Sequence, residues 1–400
     1  NRRRGAVSTR VGTDVKRNWQ VQIGGRLSAI TAAGGMCFVS AIDRHTVYAM
    51  DSANGDVRWT FTAGGRVDSP PTICQGCVFF GCNDGHVYCL RAANGQLVWR
   101  YLAAPGRDRM TAMGQVESVW PVHGSVLVQE GSVYCVAGRS AFLDGGMRFC
   151  RLDAATGRLL SENTIDDRLP ESDDNLQTKM RGLDMPTALP DVLSSDGERI
   201  YMRSQAFDLD GRRIKVAPPG DSAQQFGLDA HLFCGAGILD GSWFHRSYWI
   251  YGRQMASGCM NWFRAGRYAP AGRILAVDGD TVYGYGRQPH YLDWTPALEY
   301  RLIAANRLVT PEGIERVKAG NRKLDQRNTK GPWFESDRWM FNRDRTAKLS
   351  TRELSATDER WVVNRPEVIV RAMAVTEDLL FVAGPPDLLD EEAAVRRRFN

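Results

Sequence analysis

The chain runs to 400 residues, 43% of them hydrophobic, with 40 glycines, 11 tryptophans and a formal net charge of +5. That balance excludes long disordered tracts, and the charge is low for a nucleic-acid binder. No apolar run approaches the roughly 18 residues that a membrane-spanning helix needs.

The first predicted element starts at Trp19, where residues 19–23 read as an outer strand whose blade is completed from elsewhere, by a C-terminal segment beyond this fragment closing a ring. Two copies of one unit come next. The first holds Met36-Cys-Phe-Val-Ser, Thr46-Val-Tyr-Ala-Met and Val57-Arg-Trp-Thr-Phe; the second holds Cys77-Val-Phe-Phe-Gly and, after Asn94-Gly95, the strand around Trp99. Short alternating runs are half-buried strands, and Asn-Gly supplies the positive φ angles of a tight hairpin. Counting the segments after Gly24-Gly25-Arg26 and Gly64-Gly65-Arg66, each unit predicts four strands, and the copies stand 40 residues apart. A lone four-stranded antiparallel sheet cannot cover both its faces and has to stack on neighbours. The period therefore predicts an all-β fold, a seven- or eight-bladed β-propeller forming one domain over residues 1–400.

Blade three is expected to open with Gln115-Val-Glu-Ser-Val-Trp120, to continue through Ser125-Val-Leu-Val-Gln and Ser132-Val-Tyr-Cys-Val-Ala, and to carry an insertion at 138–146 that lengthens one hairpin. Residues 162–184 are acidic and read as an exposed loop. Blade four is placed on 191–211, blade five on 242–251 and blade six on 272–303. The stretch 301–365 holds 15 Lys and Arg against 9 Asp and Glu and reads as a basic excursion between blades, with Thr310 capping and Pro311 opening a short helix. Val368-Ile-Val-Arg371 and Leu379-Leu-Phe-Val then open a last blade. The chain begins Asn-Arg-Arg-Arg and ends with that blade unfinished, which predicts a fragment, one from whose front a signal peptide could have been lost.

The run Ala49-Met-Asp51-Ser-Ala-Asn54-Gly55-Asp-Val-Arg-Trp59 resembles the tryptophan-docking motif of the pyrroloquinoline-quinone (PQQ) repeat propellers. In the second copy Arg91 replaces the Asp; the third keeps Asp153, Thr156 and Gly157 but has Ser161 in place of Trp. The family holds quinoprotein dehydrogenases and non-catalytic members such as the outer-membrane assembly lipoprotein. The resemblance, over residues 19–161, implies that each Trp packs against the next blade and that the protein works in the periplasm or another extracytoplasmic space. For a dehydrogenase it further implies a quinone held between a Trp and a disulfide of adjacent cysteines, a calcium ion on acidic and amide groups, and an Asp base. The chain has no adjacent Cys pair, and only Glu117 and Trp120 match part of that set.

Four of the nine cysteines, Cys74, Cys77, Cys82 and Cys89, fall in one blade. Half a zinc site, a disulfide and small buried apolar groups are the readings open to them. Gln75-Gly76 reads as a two-residue turn, which sets Cys74 and Cys77 opposite one another.

In a propeller the innermost strands line the axial channel, so their polar residues are the candidate site: Arg26, Arg66, Asp68, Glu117 with Trp120, His245 with Arg246, and Arg371. Converging guanidiniums would bind a carboxylate-rich ligand, or Asp68 and Glu117 would neutralise them in a closed network. The run Trp243-Phe-His-Arg-Ser-Tyr-Trp249 suits either a stacked ligand or inter-blade core. Signatures of a nucleophile elbow, a phosphate loop, a zinc protease and haem attachment are missing from the sequence. The expectation is a binding or scaffolding module for another protein or a small anionic ligand, with no cofactor. Its alternative is a redox quinoprotein dehydrogenase using PQQ and calcium. A third, weaker reading gives the basic stretch 301–365 an anionic polymer.

Overall fold

A computed structural model describes residues 6–169, 172, 174–176, 188–214, 223–234, 249–254, 261–292, 299–325 and 349–399. Strands β1 (Thr31–Ala33), β2 (Met36–Ala41), β3 (Thr46–Asp51) and β4 (Val57–Thr62) form one antiparallel sheet in chain order. The next sheet repeats it with β5 (Thr72–Cys74), β6 (Cys77–Gly81), β7 (His86–Arg91) and β8 (Leu97–Leu102). A hairpin of β9 (Arg109–Ala112) and β10 (Gln115–Ser118) leads to a third sheet, β11 (Leu127–Gln129), β12 (Ser132–Ala137), β13 (Met147–Asp153) and β14 (Leu159–Ile165). The fourth comprises β15 (Ser194–Ser195), β16 (Ile200–Met202), β17 (Gln205–Phe207) and β18 (Arg213–Ile214). Consecutive four-stranded sheets of this kind are the blades of a β-propeller.

Packing between blades follows from the strand alternation. Phe38, Val47 and Ala49 of the first blade share a core with Val78, Phe80 and Leu90 of the second, and Phe79, Val87 and Cys89 share another with Val128, Val133 and Leu152 of the third. Trp59 lies opposite Ala49 and Trp99 opposite Cys89, each beside a bulge in the same register. Both indoles are buried, at 9% and 8% exposure. The Trp59 Nε1–H donates to the Ala92 carbonyl at 2.8 Å and the Trp99 Nε1–H to the Ala154 carbonyl at 3.0 Å, each on the next blade's turn. Trp19 repeats the contact one period earlier, donating to the Ser52 carbonyl at 2.9 Å. A β-carbon on Gly55, Gly95 or Gly157 would sit within 2.7 Å of the docked indole, so these turns need glycine for space as well as for their positive φ. Where Ser161 replaces Trp, its hydroxyl and the Asn163 amide both donate to the Asp210 carbonyl at 2.8 Å, and the Phe149 ring fills the space under Gly211.

The cysteines are part of this core. Cys74 faces Cys77 across the Gln75-Gly76 turn. Cys74, Cys77, Cys89, Cys135 and Cys150 are free thiols of the apolar cluster between the second and third blades. Burial, chiefly, pushes the Cys89 thiol up, which suits packing rather than ligation.

Three expectations are corrected. No strand forms over residues 19–23, where Trp19 docks without one. Gln115–Ser118 does not open the third blade: the positive φ of Met113 and Gly114 folds it back on Arg109–Ala112, and β11 takes the opening place. The basic excursion is an insertion within a blade and not a link between blades. Past β19 (His231–Cys234), β20 (Trp249–Gly252), α1 (Asn261–Tyr268) and β21 (Ala271–Gly272), the next sheet runs β22 (Ile274–Asp278), β23 (Thr281–Arg287), β24 (Tyr300–Asn306) and β25 (Glu359–Asn364). Its third and fourth strands pair directly although 307–358 lies between them, and the buried Arg301 side chain ties them by its ion pair with Glu359. Helix α2 (Pro311–Asp325) starts where Thr310 caps it, accepting the Gly313 N–H at 3.1 Å. The pair β26 (Ala372–Val375) and β27 (Leu380–Ala383) meets the start of the chain through a parallel bridge from Ala6 to Val375. No described helix is long and apolar enough to cross a membrane.

Candidate functional site

The backbone sets the candidate arginines in equivalent places. The Arg26 carbonyl accepts the Ile42 N–H and the Arg66 carbonyl accepts the Asn83 N–H, both at 2.9 Å. Their side chains diverge because the following turns differ. Arg26 is 55% exposed and pairs with Asp43 at 3.1 Å. Arg66 is 1% exposed, with Nη2 3.3 Å from Asp68 Oδ2 and Nε 3.0 Å from Glu117 Oε1. The Nε–H is not aimed at that oxygen, so this second contact is electrostatic rather than a hydrogen bond.

Three residues absent from the sequence-based set complete the cluster. The Asn83 amide donates to Asp68 Oδ2 at 2.8 Å and to Glu117 Oε1 at 3.2 Å. His123 Nδ1 lies 3.0 Å from Asp68 Oδ2, and Arg139 donates to Glu117 Oε2 at 2.8 Å. Glu117 reaches the group from the β9–β10 hairpin, which is tied across to the first blade by Gln115 and His45 at 2.7 Å. Burial raises the Asp68 carboxyl, but the His123 hydrogen bond and charge, Arg66 and the Asn83 amide outweigh it and leave the group below its ordinary value. Two buried carboxylates thus face the buried Arg66 and the partly exposed Arg139. Trp120 stands apart from these contacts: its Nε1–H holds the Asp144 carbonyl at 2.9 Å, and its ring covers Gly106. Arg371 is exposed beside β26, and His245 and Arg246 lie outside the described residues.

The sequence family described as outer membrane protein assembly factor BamB matches residues 4–175. That match covers the stretch whose docking motifs resemble PQQ-type repeats. Among solved structures the chain is similar to BamB from Moraxella catarrhalis, at 13% identity over 72% of this chain and 74% of that one, with a TM-score of 0.38. It is also similar to quinohemoprotein alcohol dehydrogenase ADHIIG from Pseudomonas putida HK5, at 12% identity over 92% and 65% of the two chains, TM-score 0.48. For the quinohemoprotein alcohol dehydrogenase from Comamonas testosteroni the values are 13%, 89%, 63% and 0.46. No curated protein matches the chain. Likeness at these levels says nothing about activity.

The quinone and calcium implied for some propellers of this repeat type can be tested against the side chains present. Both oxygens of Glu117 are engaged by Arg66, Asn83 and Arg139, and the Trp120 indole is fixed to the 138–146 loop. Among the described residues no three His, Cys, Asp or Glu side chains are grouped as metal ligands. These residues do not fit that group.

A second buried polar cluster had no motif to announce it. Asp191 accepts the Val192 and Cys234 N–H groups at 2.7 and 2.9 Å. Burial pushes its carboxyl up to about 7, against those donors and the Arg203 charge. Between the free value of 3.8 and about 7 the fold holds a proton that the unfolded chain has released, so raising the pH across that window destabilises the fold. Asp191→Asn is expected to remove this slope, measured as the difference in urea-unfolding free energy between variant and parent from pH 4 to 8. Parallel curves would place the titrating group elsewhere.

Proposed function

We propose that the chain is a binding propeller that handles other proteins, working in an extracytoplasmic space, rather than a quinone-dependent oxidoreductase. One observation carries this reading. The carboxylates that the sequence offers for chemistry, Asp68 and Glu117, are turned onto Arg66, Arg139, Asn83 and His123, so neither is poised as a base. The match of residues 4–175 to an assembly-factor family supports a protein as the ligand. So do the outer edges of three successive blades, where Val57, Leu97 and Leu159 repeat an exposed apolar residue at the start of an edge strand, a surface to which a partner strand can add.

The test is enzymatic. Purified full-length protein supplied with PQQ and calcium is expected to reduce no artificial electron acceptor with alcohols or sugars beyond the cofactor-free control. Reduction that depends on added PQQ would overturn the proposal and make the protein a quinoprotein.

A further inference from the structure

A cleft of about 200 Å³ opens on the second blade, walled by Asp84, His86, Arg100, Leu102, Arg107 and Arg109. The strand register puts four side chains on one face, because His86 lies opposite Leu102 and Tyr88 opposite Arg100. Arg107 comes from the exposed connector that leads into the β9–β10 hairpin, and Arg109 is the exposed first residue of β9. None of the three arginines has an ion-pair partner among the described residues.

The one carboxylate in the cleft cannot balance all three. Asp84 Oδ2 accepts the Tyr88 hydroxyl at 2.5 Å, and Oδ1 accepts the His86 N–H at 3.0 Å with the His86 Nδ1 3.3 Å away. Burial raises this carboxyl, yet the His86 and Tyr88 donors hold it down to about 2, so it stays ionised with its oxygens turned to those donors rather than to the arginines. The His86 Nδ1 stands near Asp84 Oδ1 without a hydrogen bond to it, and no described residue hydrogen-bonds Nε2. Three permanently charged forks and one imidazole edge therefore border a space too small for a drug-sized ligand, which needs roughly 300–1,000 Å³.

We propose that this cleft binds a small phosphate-type oxyanion, with Arg100, Arg107 and Arg109 each directing a guanidinium fork at a different oxygen and His86 closing the floor. A tetrahedral group offers oxygens in several directions, which suits forks arriving from two strands and a connector better than one flat carboxylate does. The phosphate can arrive free, as a monoester, or as a lipid headgroup.

Titration calorimetry of inorganic phosphate into the full chain, at ionic strength matched with sodium chloride, is expected to show one saturable site. Arg107→Ala/Arg109→Ala should weaken it by about a hundredfold, and Arg100→Ala by about tenfold, as for loss of charge-assisted contacts. A measurement that needs no variant runs beside it: phosphate should protect Arg100, Arg107 and Arg109, but not exposed Arg91, from phenylglyoxal. Two further arms separate the sources. Glycerol 3-phosphate binding without uptake onto phosphatidic-acid vesicles identifies a soluble monoester; vesicle uptake lost in Arg107→Ala/Arg109→Ala identifies a headgroup. No saturable binding in any arm, no selective protection, or affinity unchanged in a double variant that melts like the parent overturns the proposal.

Discussion

Trp59→Ala and Trp99→Ala are each expected to lower the unfolding free energy by about 3–5 kcal/mol, the range for deleting a large core aromatic. Each indole does three things at once. It fills the seam between two blades, its Nε1–H satisfies a carbonyl of the next blade's turn, and its face covers the glycine of that turn. Truncation opens a cavity that two β-sheets cannot close by collapsing and leaves the Ala92 or Ala154 carbonyl without its donor. Urea unfolding measures the loss from the midpoint shift at constant slope. Gly95→Ala approaches the same contact from the other side, placing a methyl 2.7 Å from the Trp59 ring at a φ of +72°, and should destabilise as well. A Trp59→Ala protein that unfolds at the parent's midpoint would mean that the blades are not held through this seam.

What was legible in the sequence divides along the same line. The docking contacts are local in register: Asn54-Gly55 or Asn94-Gly95 fixes a turn, the Trp follows four residues after the Gly, and stacking identical units brings each Trp onto its neighbour's turn. Periodicity reports such contacts because every copy repeats them. The Arg66 cluster is not periodic. Arg26 shares the backbone place of Arg66, but Ile42 stands where Asn83 stands, and among the described residues Asp43 is the carboxylate it pairs with, so the equivalent guanidinium turns to it and to water. Repeat symmetry predicts where an arginine starts and says nothing of the partners that converge on its tip. His123 lies ahead of the third blade and Arg139 in the loop after its second strand, and they meet Asp68 and Glu117 only once the sheets are packed together. The place of the insertion at 307–358 is hidden for a related reason: a basic run advertises itself by composition, whereas the strand that resumes the sheet, β25, shows its place only by pairing back with β24.

Removing Glu117 tests the cluster itself. Glu117→Ala leaves Arg66, 1% exposed, facing Asp68 alone, and takes from Arg139 the carboxylate it donates to. Breaking one side of a buried ion pair costs about 3–5 kcal/mol, because the charge left behind stays out of water. Arg139 is partly exposed and can swing outward, whereas Arg66 has no such route, so the larger share of the loss should come from Arg66. The variant Arg66→Met/Glu117→Leu therefore ought to recover most of what Glu117→Ala loses, since it replaces both ions by apolar groups of similar volume. Arg26→Ala, at the same backbone place but half in solvent, should change stability no more than an ordinary surface pair does. Acid adds a second reading of the same cluster. The folded Asp68 carboxyl lies below its free value, so the stability it contributes is complete above the unfolded pKa and is lost as pH falls through the lower, folded one. In Asp68→Asn that acid-side loss should shrink, read by urea unfolding in the acid range. If Glu117→Ala costs no more than Arg26→Ala, and the double variant is no better than either, then Asp68, Glu117 and the arginines are not a structural clamp. The interior of the second and third blades would then be free to receive an anion in place of the missing carboxylate.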